Sequence, residues 1–140
     1  MLAGAGVCFA EVITVNWDGT ADYTTLQEAI NAAVHDDTVI VSEGTYVENI
    51  NIGGKNITLT STNPDDPNVV EAPVIDGGGM GSVVKFAGSE DARCKLVGFT
   101  VTNGIGTIPE GSGIRFGSGT VVMYESFKKN VAGLHISCGW

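Results

Sequence analysis

The chain has 140 residues, 43% of them hydrophobic and 16% charged, with a formal net charge of −9. That length fits one domain, and the apolar content is too high for a disordered chain. The acidity argues against a nucleic-acid partner, which needs a basic stripe to displace phosphate counterions, and against an anionic membrane surface.

Leu2 to Phe9 is apolar and rich in small residues, and Ala10 and Glu11 follow it. This pattern reads as the end of a secretory signal cut after Ala10, which implies a secreted or cell-surface protein; an apolar tail is the other reading. No other segment reaches the roughly 18 apolar residues that a membrane span requires. Residues 11–140 then form one domain. Of three cysteines, Cys8 would leave with the signal, and Cys94 and Cys138 either pair or stay as thiols.

Twenty glycines against four prolines indicate many tight turns between short strands. Ile13 to Asn16 reads as a strand, and Asp18-Gly19 as a bend. Leu26, Ala29, Ile30, Ala33 and Val34 form the apolar stripe of one helix, with Thr25 and Glu28 (or Thr24 and Gln27) as a capping box and Asp36-Asp37 at its end. Strands are then predicted at Val39–Val41, Ile50–Ile52, Ile57–Thr60, Val74–Asp76, Val83–Phe86, Leu96–Thr102, Ile114–Phe116, Val121–Met123 and Leu134–Ile136. Asn63 to Asn68 is a loop by composition. The pattern recurs every 17 to 27 residues or so, a solenoid period rather than a hairpin ladder.

Two internal echoes support stacked coils. Gly113-Ile114-Arg115-Phe116 returns as Gly133-Leu134-His135-Ile136, and Val84-Lys85-Phe86 precedes both. Strand side chains alternate faces, so the apolar residues of these runs would point inward. Lys85, Arg115 and His135 would form one exposed column at a spacing of about 4.8 Å. A weaker echo relates Leu96–Gly104 to Val122–Asn130.

Val15 to Leu59 resembles the start of pectin methylesterases and of the wider pectin-lyase-like β-helix proteins. The resemblance rests on Asp18-Gly19-Thr20, Asp22-Tyr23-Thr24-Thr25, Gln27-Glu28-Ala29-Ile30, Gly44-Thr45-Tyr46-Val47-Glu48 and Asn56-Ile57-Thr58-Leu59. Leu96–Gly104 and Gly111–Ile114 resemble large secreted right-handed β-helix proteins of bacteria of the pectate-lyase type. Together these stretches cover about residues 13 to 136. The resemblance implies an all-β fold: a short, right-handed, single-stranded parallel β-helix of about five coils, with the N-terminal helix plugging one end and a Gly-x-Tyr-x-Glu turn leading into the coils.

Activity is a separate question, because fold does not fix function. Methylesterases of this family use an Asp nucleophile, an Asp acid/base, an Arg and oxyanion glutamines, in stretches absent from this chain. Its one glutamine is Gln27, on the predicted helix. Lyases of the related type need a basic residue and carboxylates that hold calcium. The Lys85, Arg115 and His135 column is the candidate substrate-binding surface, able to meet the carboxylates of a polyuronate, and Asp65 and Asp66 are the candidate calcium ligands. Asn56, Asn63, Asn103 and Asn130 suit bends or stacks between coils. Trp17, Tyr124 and Trp140 offer rings for sugar or for packing.

The expectation is therefore a β-helix module that binds polysaccharide or serves as scaffold without catalysis. An N-terminal fragment of a polysaccharide lyase or carbohydrate esterase, with active coils beyond residue 140, is the alternative; a purely structural surface repeat is another. The last residues lack a polar terminal repeat, which predicts either a longer solenoid or self-association through the uncapped end.

Overall fold

The computed structural model describes residues 9–64, 66, 73–80, 83–86, 93–103, 114–116 and 134–137, the last two segments as backbone. The chain is mostly β with one helix. The first elements are β1 (Val12–Val15), α1 (Leu26–Ala32), β2 (Thr38–Val41), β3 (Gly44–Val47) and β4 (Ile50–Asn51). Next come β5 (Thr58–Ser61), β6 (Pro73–Asp76), β7 (Val84–Phe86), β8 (Lys95–Thr102), β9 (Ile114–Phe116) and β10 (Leu134–Ser137).

The pairing is parallel through most of the fold, and β2, β3, β4 and β5 each lie beside the third strand after them. β1, β2, β5 and the first half of β8 form one stack. β3, β6 and the second half of β8 form another, and β4, β7 and β9 a third. β8 joins the first two stacks because Gly98, at φ +77°, bends it between its two pairing segments. A side chain there would also collide with Ser61 Oγ and Pro64, so the bend requires glycine.

The register places like side chains in line. Ile13, Val39, Leu59 and Leu96 succeed one another across the first stack, all buried. Tyr46 and Ile75 align in the second, and Ile50 and Val84 in the third. Each such aliphatic side chain removed from water contributes roughly 1.5–3 kcal/mol. Ser61 takes the place that Val15 and Val41 hold on neighbouring strands, and its buried Oγ has no hydrogen-bond partner among the described residues.

Four expectations need correction. The interval of 17 to 27 residues holds for some pairings, such as Thr38 with Thr58 and Val74 with Thr100, but others are longer: Ile50, Val84 and Ile114 pair at intervals of 34 and 30. Stacking constrains only the strands, so the connections between them vary freely in length. Gly44 to Val47 is strand β3 rather than a turn. The 20-residue echo does not stack, because β10 runs antiparallel to β8. The helix ends at Ala32, a residue pair short of its apolar stripe. Val121–Met123, Val122–Asn130, Tyr124, Trp140, Cys8 and Cys138 lie outside the described residues; Cys94 is buried beside β8.

A parallel stack leaves its first strands with unpaired backbone groups, and residues 14–28 answer this on the first and third stacks. On β1, the Thr14 N–H donates to Asp22 Oδ2 at 2.9 Å, the Thr14 carbonyl accepts from Tyr23 N at 3.1 Å, and Asn16 N donates to the Tyr23 carbonyl at 3.0 Å. On β4, the Gln27 side-chain amide imitates a neighbouring strand: Asn51 N donates to Gln27 Oε1 at 2.8 Å, and Gln27 Nε2 donates to the Asn51 carbonyl at 3.2 Å. At the start of β3, Trp17 lies against Gly44.

The helix is in turn tied to the strands. Thr25 is its N-cap and pairs with Glu28, as the capping box predicts. Glu48, just after β3, accepts the free N–H groups of Leu26 and Gln27 at 2.9 and 3.0 Å. Lys55 Nζ donates to the carbonyls of Ile30 and Asn31 at the other end, at 2.7 and 3.0 Å. Asp37, 2% exposed, accepts from Glu11 N and Val34 N, both at 2.8 Å, so this buried carboxylate joins the entry of β1 to the helix exit. Leu26, Ala29, Ile30 and Ala33 bury the helix's apolar face.

Two predictions follow from this cap. The Thr14 backbone N–H, and then the Thr14 hydroxyl, hold the Asp22 carboxyl below its ordinary value of 3.8. A carboxyl depressed in the folded state stabilises above the unfolded value, and that contribution is lost as pH falls through the folded one. Asp22→Asn should therefore lower the melting temperature at pH 6, with the gap to wild type closing as pH falls below 3.8; a gap independent of pH would contradict the role. Gln27→Ala strands two backbone groups of Asn51 and should cost about 1–2 kcal/mol in chemical denaturation. Gln27→Glu should also destabilise, because a carboxylate cannot donate to the Asn51 carbonyl.

Candidate functional site

The third stack is thin, and its outward face carries the polar row. β7 alternates buried Val84, exposed Lys85 and buried Phe86, so Lys85 stands outward on a strand anchored by its neighbours. Lys85 pairs in register with Asn51 on β4 and with Arg115 on β9. The strands lie about 4.8 Å apart, so the three positions form a ladder across the sheet. Gln27 extends the row past Asn51 through its paired amide.

The chemistry of this row is cationic and hydrogen-bonding. Lys85 makes no ion pair among the described residues, where the salt bridge is Arg93 to Asp36 at 3.3 Å. Asn51 Oδ1 accepts from Gly53 N at 3.0 Å. Its Nδ2 donors have no partner among the described residues. An unpaired ammonium and an outward amide on adjacent rungs can together hold a carboxylate and a hydroxyl of one extended ligand.

The structure brings together two of the three expected column residues. Lys85 and Arg115 share the third stack, but His135 does not join them. His135 lies on β10, opposite Val97 of β8 in the first stack, because β10 reverses direction. Asn51 was missed, although its setting between Ile50 and Ile52 repeats that of Lys85 between Val84 and Phe86. The common signal is a polar residue between two apolar ones, and it survives the uneven spacing.

Of the two expected calcium ligands, Asp66 is among the described residues. Asp65 lies outside them. Asp66 sits in a turn, its N–H donating to the Asn63 carbonyl at 3.2 Å. No group of three or more His, Cys, Asp or Glu side chains able to hold a metal occurs among the described residues. Asp76 serves the bend after β6: its Oδ1 accepts from Gly78 N at 2.8 Å, and Asn103 Nδ2 lies 3.0 Å from both of its oxygens. Asn103 itself adopts φ +53°, the left-handed bend expected of a turn asparagine. Asn56 is buried, with its backbone N–H on His35 Nδ1 at 3.1 Å. No helix among the described residues is long and apolar enough to cross a membrane.

No protein-family model matches the chain, and no curated protein matches it in sequence. Among solved structures it is similar to a pectin methylesterase from carrot, at 16% identity and a TM-score of 0.47. The match covers 81% of this chain and 40% of the carrot protein, so the chain spans less than half the length of that neighbour.

Proposed function

We propose that this chain is the capped start of a right-handed parallel β-helix, in a secreted or cell-surface module that binds an acidic polysaccharide on the outer face of its third stack without catalysis. The helical winding is supported by the order of pairing: three successive strands each pair in parallel with the third strand after them. Parallel connections of this kind are right-handed in nearly all proteins.

The binding reading is carried by one observation, the register Asn51 to Lys85 to Arg115. Arg115 is the register partner of Lys85 on β9. The chain has seven Lys and Arg against sixteen Asp and Glu, so two cations on adjacent rungs stand out from an acidic molecule. A polyuronate presents one carboxylate per sugar along an extended chain, and adjacent cations can engage successive carboxylates. Such exposed contacts are modest singly and screened by salt.

Calorimetric titration with polygalacturonate tests the reading. Lys85→Ala and Arg115→Ala should each weaken binding several-fold, and the double variant by more than ten-fold. Affinity should fall as sodium chloride rises. His135→Ala should bind as wild type, because His135 belongs to a different stack. A double variant that binds polygalacturonate unchanged would overturn the proposal.

A further inference from the structure

Trp17 is a large side chain that the cap leaves exposed. It is 63% exposed, although it lies in a loop held at several points. Gly19 N donates to the Asn16 carbonyl at 3.1 Å, and Asp18 Oδ1 accepts from Thr20 N and Thr20 Oγ1 at 2.9 and 2.6 Å. The Trp17 backbone also hydrogen-bonds the hydroxyl of Tyr46, a residue 3% exposed, whose hydroxyl in turn donates to the Ser42 carbonyl at 3.0 Å.

The ring is set in place as well as the backbone. Its pyrrole part rests on Gly44, where a Cβ would stand 2.5 Å from Cδ1 and 2.8 Å from Nε1. Gly44 adopts φ +145°, so both the backbone and the ring contact call for glycine. The remainder of the indole faces solvent. Two acidic residues neighbour these positions in the chain: Asp18 follows Trp17, and Glu43, which is exposed, precedes Gly44. The Glu43 carboxylate makes no hydrogen bond or ion pair among the described residues, whereas Asp18 is held by Thr20.

We infer that Trp17, with Asp18 and Glu43, forms a binding platform for an uncharged hexopyranose unit of a glycan. The C–H bonds on one face of a pyranose carry slight positive charge and rest on the negative face of an aromatic ring. Carboxylate oxygens accept bonds from the sugar hydroxyls around its rim. A fixed ring loses little freedom when it binds. The same two carboxylates repel a uronate, so this platform differs in preference from the Lys85 and Arg115 row and does not depend on it.

The test is tryptophan fluorescence in a Trp140→Phe background, where emission reports Trp17 alone, the chain having two tryptophans. The probes are uncharged β-1,4 hexamers of glucose, mannose and galactose, with hexagalacturonate as the charged comparison. At least one neutral hexamer should saturate the signal and bind at least ten-fold more tightly than hexagalacturonate. Calorimetry should show that binding weakened at least ten-fold in Trp17→Ala, with the melting temperature within a few degrees of wild type, and unchanged in Lys85→Ala. The inference is overturned if none of the neutral hexamers binds at millimolar concentration, if hexagalacturonate binds as well as they do, or if Trp17→Ala binds them like wild type. A change in oligomeric state on Trp17→Ala without sugar would also overturn it, since the ring would then serve a protein contact.

Discussion

Stacking strands in parallel leaves the first strand of every stack with backbone groups that no later strand can reach. In this chain fifteen residues meet that constraint on β1 and β4, by different chemistry on each. A carboxylate and a backbone bridge serve β1, a side-chain amide serves β4, and an indole covers the start of β3. The solutions are coupled, because Asp22 and Gln27 stand on either side of the Thr25 cap and Glu48 ties the helix to the end of β3. The helix is only seven residues long and would not persist alone in water. Its place depends on these ties and on the burial of Leu26, Ala29 and Ile30.

Beyond the cap, the fold repeats one local rule: an outward residue between two inward ones, laid in register with the same pattern on the next strand. The inward residues build the core, and the outward ones build the faces. The third stack therefore acquires its polar row as a by-product of the alternation that fills the interior with Ile50, Val84 and Phe86. The corners carry the remaining variation. Gly98 turns β8 without interrupting it, and Asn103 joins its bend to the Asp76 bend on the neighbouring rung.

Much of this was legible in the residues, for physical reasons. The helix announced itself through a 3.6-residue stripe and a capping box, both local signals, and the strands through alternation. Register was harder. The pairing of Val84-Lys85-Phe86 with Ile114-Arg115-Phe116 could be read from like triplets, but the similar triplet at Leu134 pairs antiparallel with β8, and no local feature of Leu-His-Ile records direction. The resemblance implied a turn at Gly44-Thr45-Tyr46-Val47, whereas the segment is a strand whose glycine makes room for the distant Trp17. Gln27 was expected on the helix, as an alternative capping-box partner with Thr24. Its partner, Asn51, is 24 residues away, and only the assembled fold brings them together. Of the candidate site, two of three basic positions lie in one row, and their neighbour Asn51 emerges only once the strands are stacked.

The charge pattern follows the same division. Asp18, Asp22 and Glu48 accept backbone N–H groups at the capped end, whereas Lys85 and Arg115 stand on the third stack. The central claim is that side chains complete the sheets at this end as an added strand would. Native-state hydrogen exchange tests it residue by residue. The amides of Thr14, Asn16 and Asn51 should exchange nearly as slowly as those of β5, inside the first stack. If they exchange as fast as amides in exposed loops, the first strands are open edges and the account of the cap is wrong.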